Sequence, residues 1–418
     1  MLNKNLEITI LNEHCSNLLD NNFGVDVLNN ILTNNNEYND SLGWFDIDKW
    51  ANIQYLNSFK NIANKIREKA DCFVVIGVGG SNQAARAIIE ALKDKISGPD
   101  ILWVGNNLSG NYISNILSKL DNYNDIYINV IAKNFETLEP GLSFRLIRQY
   151  LQNRYDDYQE RIIVTGTINS HLYDLSIKHN FTFVEFPKDI GGRYSSLSAV
   201  GLLPMAVAGI DIDNVIKGGK DISKLLKEDN SNENLALIYA RNRKILYDQG
   251  YYLETLSYFE PRLYRFSKWW IQLFGESEGK DNKGIYPISA NYSEDLHSIG
   301  QFMQEGSKII FETFIDIDNV DDGPIIKSDI VDDKFEYLNN KTVNQINKEA
   351  FKATINAHSK VMPCIKIKID RLDEYYFGQL FYYFEFACYL YCRLNDVNPF
   401  DQNGVEEYKK MMFEYLGK

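Results

Sequence analysis

The sequence has no excess of positive charge, no paired cysteine motif and no long unbroken apolar run. Lys and Arg number 44 against 57 Asp and Glu, a formal charge of −13. That balance argues against nucleic acid as a main partner, since a phosphate backbone requires a net basic face. It argues equally against adhesion to anionic lipid. A small anionic ligand remains compatible, provided that its cations are local. The five cysteines, Cys15, Cys72, Cys364, Cys388 and Cys392, are odd in number and form no CxxC pair. Cys388 and Cys392, one helical turn apart in an aromatic run, read as buried thiols of a reducing compartment. The five histidines (His14, His171, His179, His297, His358) show no metal-like spacing. Residues 199–210 form the longest apolar stretch, but Pro204 breaks it and it is too short for a bilayer. Residues 1–10 carry Lys4 and Glu7 and lack the apolar segment of a secretory signal. The expectation is a cytoplasmic protein with neither a membrane nor a nucleic acid as partner.

Present instead are ordinary globular proportions, 44% hydrophobic and 24% charged residues. At roughly 150 residues per domain the chain accommodates two or three domains, and it can bury its core without disulfides or metals. Residues 1–50 are rich in Asn and Asp, with a helix expected at 24–33. An amphipathic helix at 55–70 follows, with Leu56, Phe59, Ala63 and Ile66 on one stripe. Short apolar strands are then predicted at 72–77, 101–104, 126–132, 162–166 and 181–186, separated mostly by helices such as 83–92. A helical stretch at 201–246 introduces a second series, with strands at 252–259, 284–288, 308–315 and 362–369 and helices at 266–274, 295–305 and 342–359. Such alternation predicts α/β units built on doubly wound parallel sheets. An aromatic helix at 377–394 and a last helix after Gly404 close the chain. The expected division is a helical extension 1–50, α/β units 51–205 and 206–395, and a C-terminal helix 396–418.

Five segments are candidates for chemistry. Val74-Val75-Ile76-Gly77-Val78-Gly79-Gly80-Ser81 reads as a strand, a glycine turn and a helix start, which present free N–H groups to an anion. Asn82 stands where a dinucleotide fingerprint needs glycine, and no Walker lysine follows. The turn is therefore a phosphate- or sugar-type cradle, or a tight turn with no ligand. Ile190-Gly191-Gly192-Arg193 lets backbone approach a ligand beside a fixed cation suited to an oxyanion; a surface arginine is the alternative. In Gln272-Leu273-Phe274-Gly275-Glu276-Ser277-Glu278-Gly279-Lys280 two carboxylates crowd a turn after an apolar helix, as a general base for carbon acids requires. For Glu278 a solvated acidic turn is the preferred reading. Asp295-Leu296-His297-Ser298 offers one histidine ahead of a helix, which is more often structural than catalytic. Asn398-Pro399-Phe400-Asp401-Gln402-Asn403-Gly404 runs into a helix carrying Lys409 and Lys410, which a solvated face would also explain.

Taken together and in this order, the segments VVIGVGGSNQAARAIIEAL, GGRYSSLSAVGLLPMAVAG, LFGESEGKDNKGIYPISANYSEDLHSIGQFMQEG and VNPFDQNGVEEYKKMMF resemble the phosphoglucose isomerase family in its bacterial short form. The resemblance extends from about residue 72 to the C-terminus. It implies two sugar-isomerase-type α/β domains with helical N- and C-terminal extensions, and a homodimer whose partner supplies the His297 segment. It also implies aldose–ketose isomerisation of glucose 6-phosphate and fructose 6-phosphate through a cis-enediol, without metal or organic cofactor. On this resemblance Glu276 matches the general base and Arg193 the cation on the enediolate oxygen. His297 and Lys409 match the pair that opens the sugar ring. Gln272 and Gln402 match substrate-binding amides, and Gly80 and Ser81 the sugar and phosphate cradle.

One block departs from the family. Its phosphate loop is a Ser-Lys-Ser/Thr run ending in threonines and a glutamate, whereas this chain has Ala132-Lys133-Asn134-Phe135-Glu136-Thr137-Leu138-Glu139. Lys133, Thr137 and Glu139 remain, and Asn134 offers an amide in place of a hydroxyl. A hydrogen bond lost to a charged group costs about 1.5–3 kcal/mol, so the changes predict a weaker phosphate clamp unless backbone N–H groups compensate. Two substrates fit: a C6 phosphate held by backbone donors, Ser81 and Thr137, or a C6 sulfonate such as sulfoquinovose, with one charge instead of two. A non-catalytic sugar-phosphate sensor is the alternative of another class, and the intact set of Glu276, His297, Arg193 and Lys409 speaks against it.

Overall fold

Two five-stranded sheets organise the computed structural model, which describes residues 6–11, 22–33 and 37–417. His14 and Cys15 lie outside the described residues. In chain order the strands are β1 (Glu7–Leu11), β2 (Cys72–Ile76), β3 (Asp100–Val104), β4 (Ile126–Ile131), β5 (Ile162–Gly166), β6 (Thr182–Glu185), β7 (Leu253–Tyr258), β8 (Tyr286–Asn291), β9 (Ile310–Ile317) and β10 (Cys364–Ile369). The first sheet, ordered β3-β2-β4-β5-β6, is parallel throughout. Its strands β2 and β4 are buried at every residue, as a sheet covered on both faces demands. The second sheet has the order β1-β10-β9-β7-β8, and within it β7 to β10 run parallel. Apart from β1 it repeats the opening order of the first sheet, with the second strand on one side of the first strand and the third on the other. The crevice at the C-terminal ends of the first and third strands is where such sheets receive ligands.

Two features differ from the expectation. The N-terminal segment is helical at Val25–Thr33, but Glu7–Leu11 is an edge strand, antiparallel to β10. Five residues carry too little periodicity to announce a strand, and the pairing edge that stabilises them lies more than 350 residues away. The stretch 201–246 is not one run but falls within three helices, Ala199–Ala208, Ile212–Glu228 and Leu235–Asp248. Gly209, at φ 95°, ends the first of them in the left-handed conformation. No helix among the described residues is long and apolar enough to cross a membrane.

The helix Tyr264–Glu278 bridges the two units. Phe266, Trp269, Trp270, Leu273 and Phe274 form its buried stripe, and its four aromatic rings pack on Phe377, Phe381 and Phe384 of the aromatic helix Glu374–Leu394. Cys388 and Cys392 of that aromatic helix are buried free thiols, as are Cys72 and Cys364. Glu278, expected in a solvated turn, is instead fully buried inside the bridging helix. Arg243 Nη2 donates to its Oε1 at 2.7 Å, and Ile285 N to its Oε2 at 3.2 Å. Arg243 Nε also donates to Glu254 Oε2 at 2.6 Å, while Tyr239 and Thr313 donate to Glu254 Oε1. One cation therefore faces two carboxylates where no water screens them. Burial pushes Glu278 up to about 7 from its ordinary 4.5, against the pull of Arg243.

A carboxyl whose folded pKa is raised stabilises the fold most below its unfolded value and loses that contribution as pH rises through the folded one. Glu278→Gln removes this loss. Denaturant titrations at about pH 4.5 and pH 8 should show the variant gaining on the wild type by up to about 3 kcal/mol between them. An unchanged gap would mean that Glu278 stays ionised at both pH values.

Candidate active site

At the end of β2 the chain turns through Gly77-Val78-Gly79-Gly80 into the helix Gly80–Ala91. Side chains have no room there. A Cβ on Gly80 would lie 1.8 Å from the Gly192 carbonyl oxygen, and one on Gly79, at φ +58°, 2.6 Å from Gln272 Nε2. The glycines thus let one turn touch both the Gly191–Arg193 segment and the bridging helix. Gly80 is buried and Ser81 is half-buried in the first helical turn, where the N–H groups of Ser81, Asn82 and Gln83 bond to the Val78 and Gly79 carbonyls.

Arg193 is buried at 4% side-chain exposure, and its guanidinium joins three chain segments. Nε donates to Ser277 Oγ at 2.9 Å, Nη1 to Glu276 Oε2 at 3.3 Å, and Nη2 to the carbonyls of Pro399 and Asp401 at 2.6 and 3.3 Å. Glu276 keeps 34% side-chain exposure. Its Oε1 accepts from Gln272 Nε2 at 3.2 Å, one helical turn back, and its Oε2 from Gln402 Nε2 at 2.7 Å. The other atom of the Gln272 amide, Oε1, is buried without a hydrogen-bond partner. Such a carboxylate, oriented by three donors yet open on one side, can take a proton from carbon, and the adjacent guanidinium can hold the oxyanion that results.

After β4 comes the loop that departs from the family pattern. Lys133 Nζ donates to the Ile190 carbonyl at 3.0 Å, which ties this loop to the Gly191–Arg193 segment. Burial pushes the Lys133 amine down, while Asp189 and Asp40 pull it back up. Phe135, at φ 59°, turns the loop, with its ring against Phe144 and His171. Asn134, Glu136 and Thr137 are exposed, and Glu139 is half-buried in the first turn of the helix Leu138–Arg154. These residues and Ser81 flank the crevice between the ends of β2 and β4. At the matching crevice of the second sheet, Asn347 donates to the Phe259 carbonyl at 3.1 Å and Lys348 to that of Asp318 at 2.9 Å, and both side chains line a small pocket with Phe259 and Phe351.

The single chain therefore gathers Glu276, Arg193, Gln272, Gln402 and Gly80, and connects Lys133 to them through Ile190. It does not gather His297 and Lys409. His297 is exposed in the first turn of the helix Leu296–Glu305, and its imidazole makes no hydrogen bond or ion pair with the described residues. Lys409 pairs with Glu406 at 2.8 Å on the helix Glu406–Tyr415, which buries none of its residues. Ser277 and Lys280, both at this site, are functional candidates that sequence reasoning passed over. A serine inside a helix carries no motif, and Lys280 had no partner in view until residues 395–401 folded over it.

The phosphoglucose isomerase family model matches residues 57–416. The glucose-6-phosphate isomerase of Clostridium tetani is 43% identical over 394 residues, covering 91% of this chain and 88% of that protein. That of Shouchella clausii is 42% identical, with 91% and 87% covered. Among solved structures, a hypothetical protein of Thermus thermophilus superposes at TM-score 0.86, with 23% identity and 94% of each chain covered. A glucose-6-phosphate isomerase of Chlamydia trachomatis gives 0.76 at 20% identity, over 87% of this chain and 73% of that one. These two establish the fold alone. A family model spanning most of the sequence and relatives above 40% identity over nine-tenths of it place the chain in the phosphoglucose isomerase family.

Proposed function

We propose that the protein interconverts glucose 6-phosphate and fructose 6-phosphate, with Glu276 as the base. The observation that carries this reading is the half-open Glu276 carboxylate set 3.3 Å from a buried Arg193 guanidinium beside the glycine turn. Glu276 removes the C2 proton of the open-chain aldose, and the electron pair moves through a new C1–C2 double bond onto the C1 oxygen. Arg193 holds the enediolate charge in a site where water screens it little. The hydroxyl proton passes from O2 to O1, the double-bond electron pair takes the proton back from Glu276 to form the new C1–H bond, and O2 becomes the carbonyl of the ketose. The electron pair stays within the substrate and the proton passes through Glu276, which is exposed enough to exchange it with solvent, so the step as written requires no metal or organic cofactor. Gln272 and Gln402 hold the carboxylate in one orientation, and the unpartnered Gln272 Oε1 suits a sugar hydroxyl.

The C6 phosphate is assigned to the mouth between β2 and β4. Backbone N–H groups at Gly80 and Leu138 and the side chains of Ser81, Asn134 and Thr137 are its donors, with Lys133 supplying charge from a fixed position and Glu139 at the rim. The relatives' names favour phosphate; the sulfonate reading rests on Ala132, Asn134 and Glu136 alone, and a non-catalytic binder has no support among the relatives. Ring opening is assigned to His297 and Lys409. The exposed His297 imidazole, without a hydrogen bond or ion pair among the described residues, supports a homodimer in which a second copy's site receives it.

The ratio of kcat/KM for glucose 6-phosphate to that for sulfoquinovose tests the substrate. A phosphate preference above tenfold, about 1.4 kcal/mol in transition-state binding, is expected; a sulfonate preference of that size would overturn the assignment. His297→Ala should slow turnover of the cyclic sugar at least about tenfold more than that of an open-chain analogue. Equal losses on both would remove ring opening from its role.

A further inference from the structure

Residues 395–402 cross the C-terminal end of the bridging helix as a strap, and three cations grip its carbonyls. Lys283 Nζ donates to Asn395 O and Asp396 O at 3.1 and 3.2 Å. Lys280 Nζ donates to Asn398 O and lies 3.2 Å from Asp401 Oδ1. Arg193 takes the carbonyls of Pro399 and Asp401. Between these grips the Phe400 ring packs on Tyr38, Tyr194 and Tyr389, which leaves the strap little freedom to slide. Its far end delivers the Gln402 amide to Glu276 Oε2 at 2.7 Å.

Lys280 is the link between strap and helix. Besides its two strap partners it donates to the Ser277 carbonyl at 2.9 Å, one residue beyond Glu276. A helix end with free carbonyls attracts a cation, and an ammonium has three N–H groups for three acceptors. Two hydrogen bonds go to backbone carbonyls, and the Asp401 carboxylate is an ion-pair partner at 3.2 Å. With 14% of its side chain exposed, Lys280 gives up hydration for these contacts, and burial pushes its amine down while Asp401 pulls it up.

We propose that Lys280 is a positioning residue for the isomerisation: it pins the strap to the last turn of the base helix. That attachment sets where Gln402 and the carbonyls of Pro399 and Asp401 meet the Glu276–Arg193 pair. The inference rests on Glu276 being the base. Held by two backbone carbonyls and the Asp401 carboxylate and only 14% exposed, Lys280 contributes to the alignment of the reacting groups rather than to ground-state binding. Misalignment on the scale of an ångström lowers rates by about a hundredfold.

The experiment compares Lys280→Met, Lys280→Arg, Lys283→Met and Glu276→Gln in the full chain, with kcat and KM for glucose 6-phosphate, Kd for the acyclic analogue glucitol 6-phosphate, and Tm. Lys280→Met should lower kcat about ten- to a hundredfold and change KM and Kd less than about threefold, and Lys280→Arg should restore most of kcat. Lys283→Met loosens the same strap far from Gln402. It should lower Tm about as much as Lys280→Met while leaving kcat within about threefold of wild type. If Lys280→Met does not fold, Lys280→Gln takes its place. Wild-type kcat in the Lys280 variant, or equal kcat losses at 280 and 283, would overturn the proposal. Activity in Glu276→Gln would overturn the base assignment beneath it.

Discussion

A buried guanidinium must have its N–H groups satisfied, and much of the site follows from meeting that demand for Arg193. Its four hydrogen bonds reach residues 83, 84, 206 and 208 positions further along the chain. Ser277 supplies an oxygen on a helix whose buried stripe is largely aromatic, and the strap supplies two carbonyls. The missing side chain of Gly80 leaves room for the Gly192 carbonyl and the Arg193 backbone, so the anion cradle and the cation's segment share one contact. What satisfies Arg193 also fixes it, and a fixed cation stabilises developing charge without reorganising during the reaction.

Opposite sides of the base helix carry two kinds of carboxylate. Glu276 faces the crevice, one-third exposed and oriented by neutral amides and one guanidinium. Two residues on, Glu278 is sealed in with Arg243 and Glu254 and pushed up to about 7 by burial. The sealed network ties the helix to β7, to Thr313 of β9 and to the start of β8. The position of the helix therefore rests on groups remote from solvent, which leaves Glu276 free to keep its open side. The strap adds a third constraint from the C-terminal end.

Much of this could be read in the residues themselves. The run CFVVI is buried at all five positions of β2, the glycines sit where backbone meets backbone, and Gln272 and Glu276 share a helix face through their four-residue spacing. Features created by partners far along the chain were not legible. Glu278 looked solvated because its burial depends on Arg243 and Glu254, 35 and 24 residues earlier. β1 exists because β10 offers it an edge. His297 and Lys409 draw their roles from family resemblance alone, and among the described residues neither makes a hydrogen bond or ion pair with Glu276 or Arg193.

The central claim is that Glu276 moves the proton between C2 and C1. Its most direct test is the appearance of solvent deuterium at C2 of glucose 6-phosphate recovered from enzyme in heavy water. The account predicts exchange with wild type and a loss of at least about a hundredfold in Glu276→Gln, with binding of the sugar retained. Exchange at the wild-type rate in that variant would contradict it.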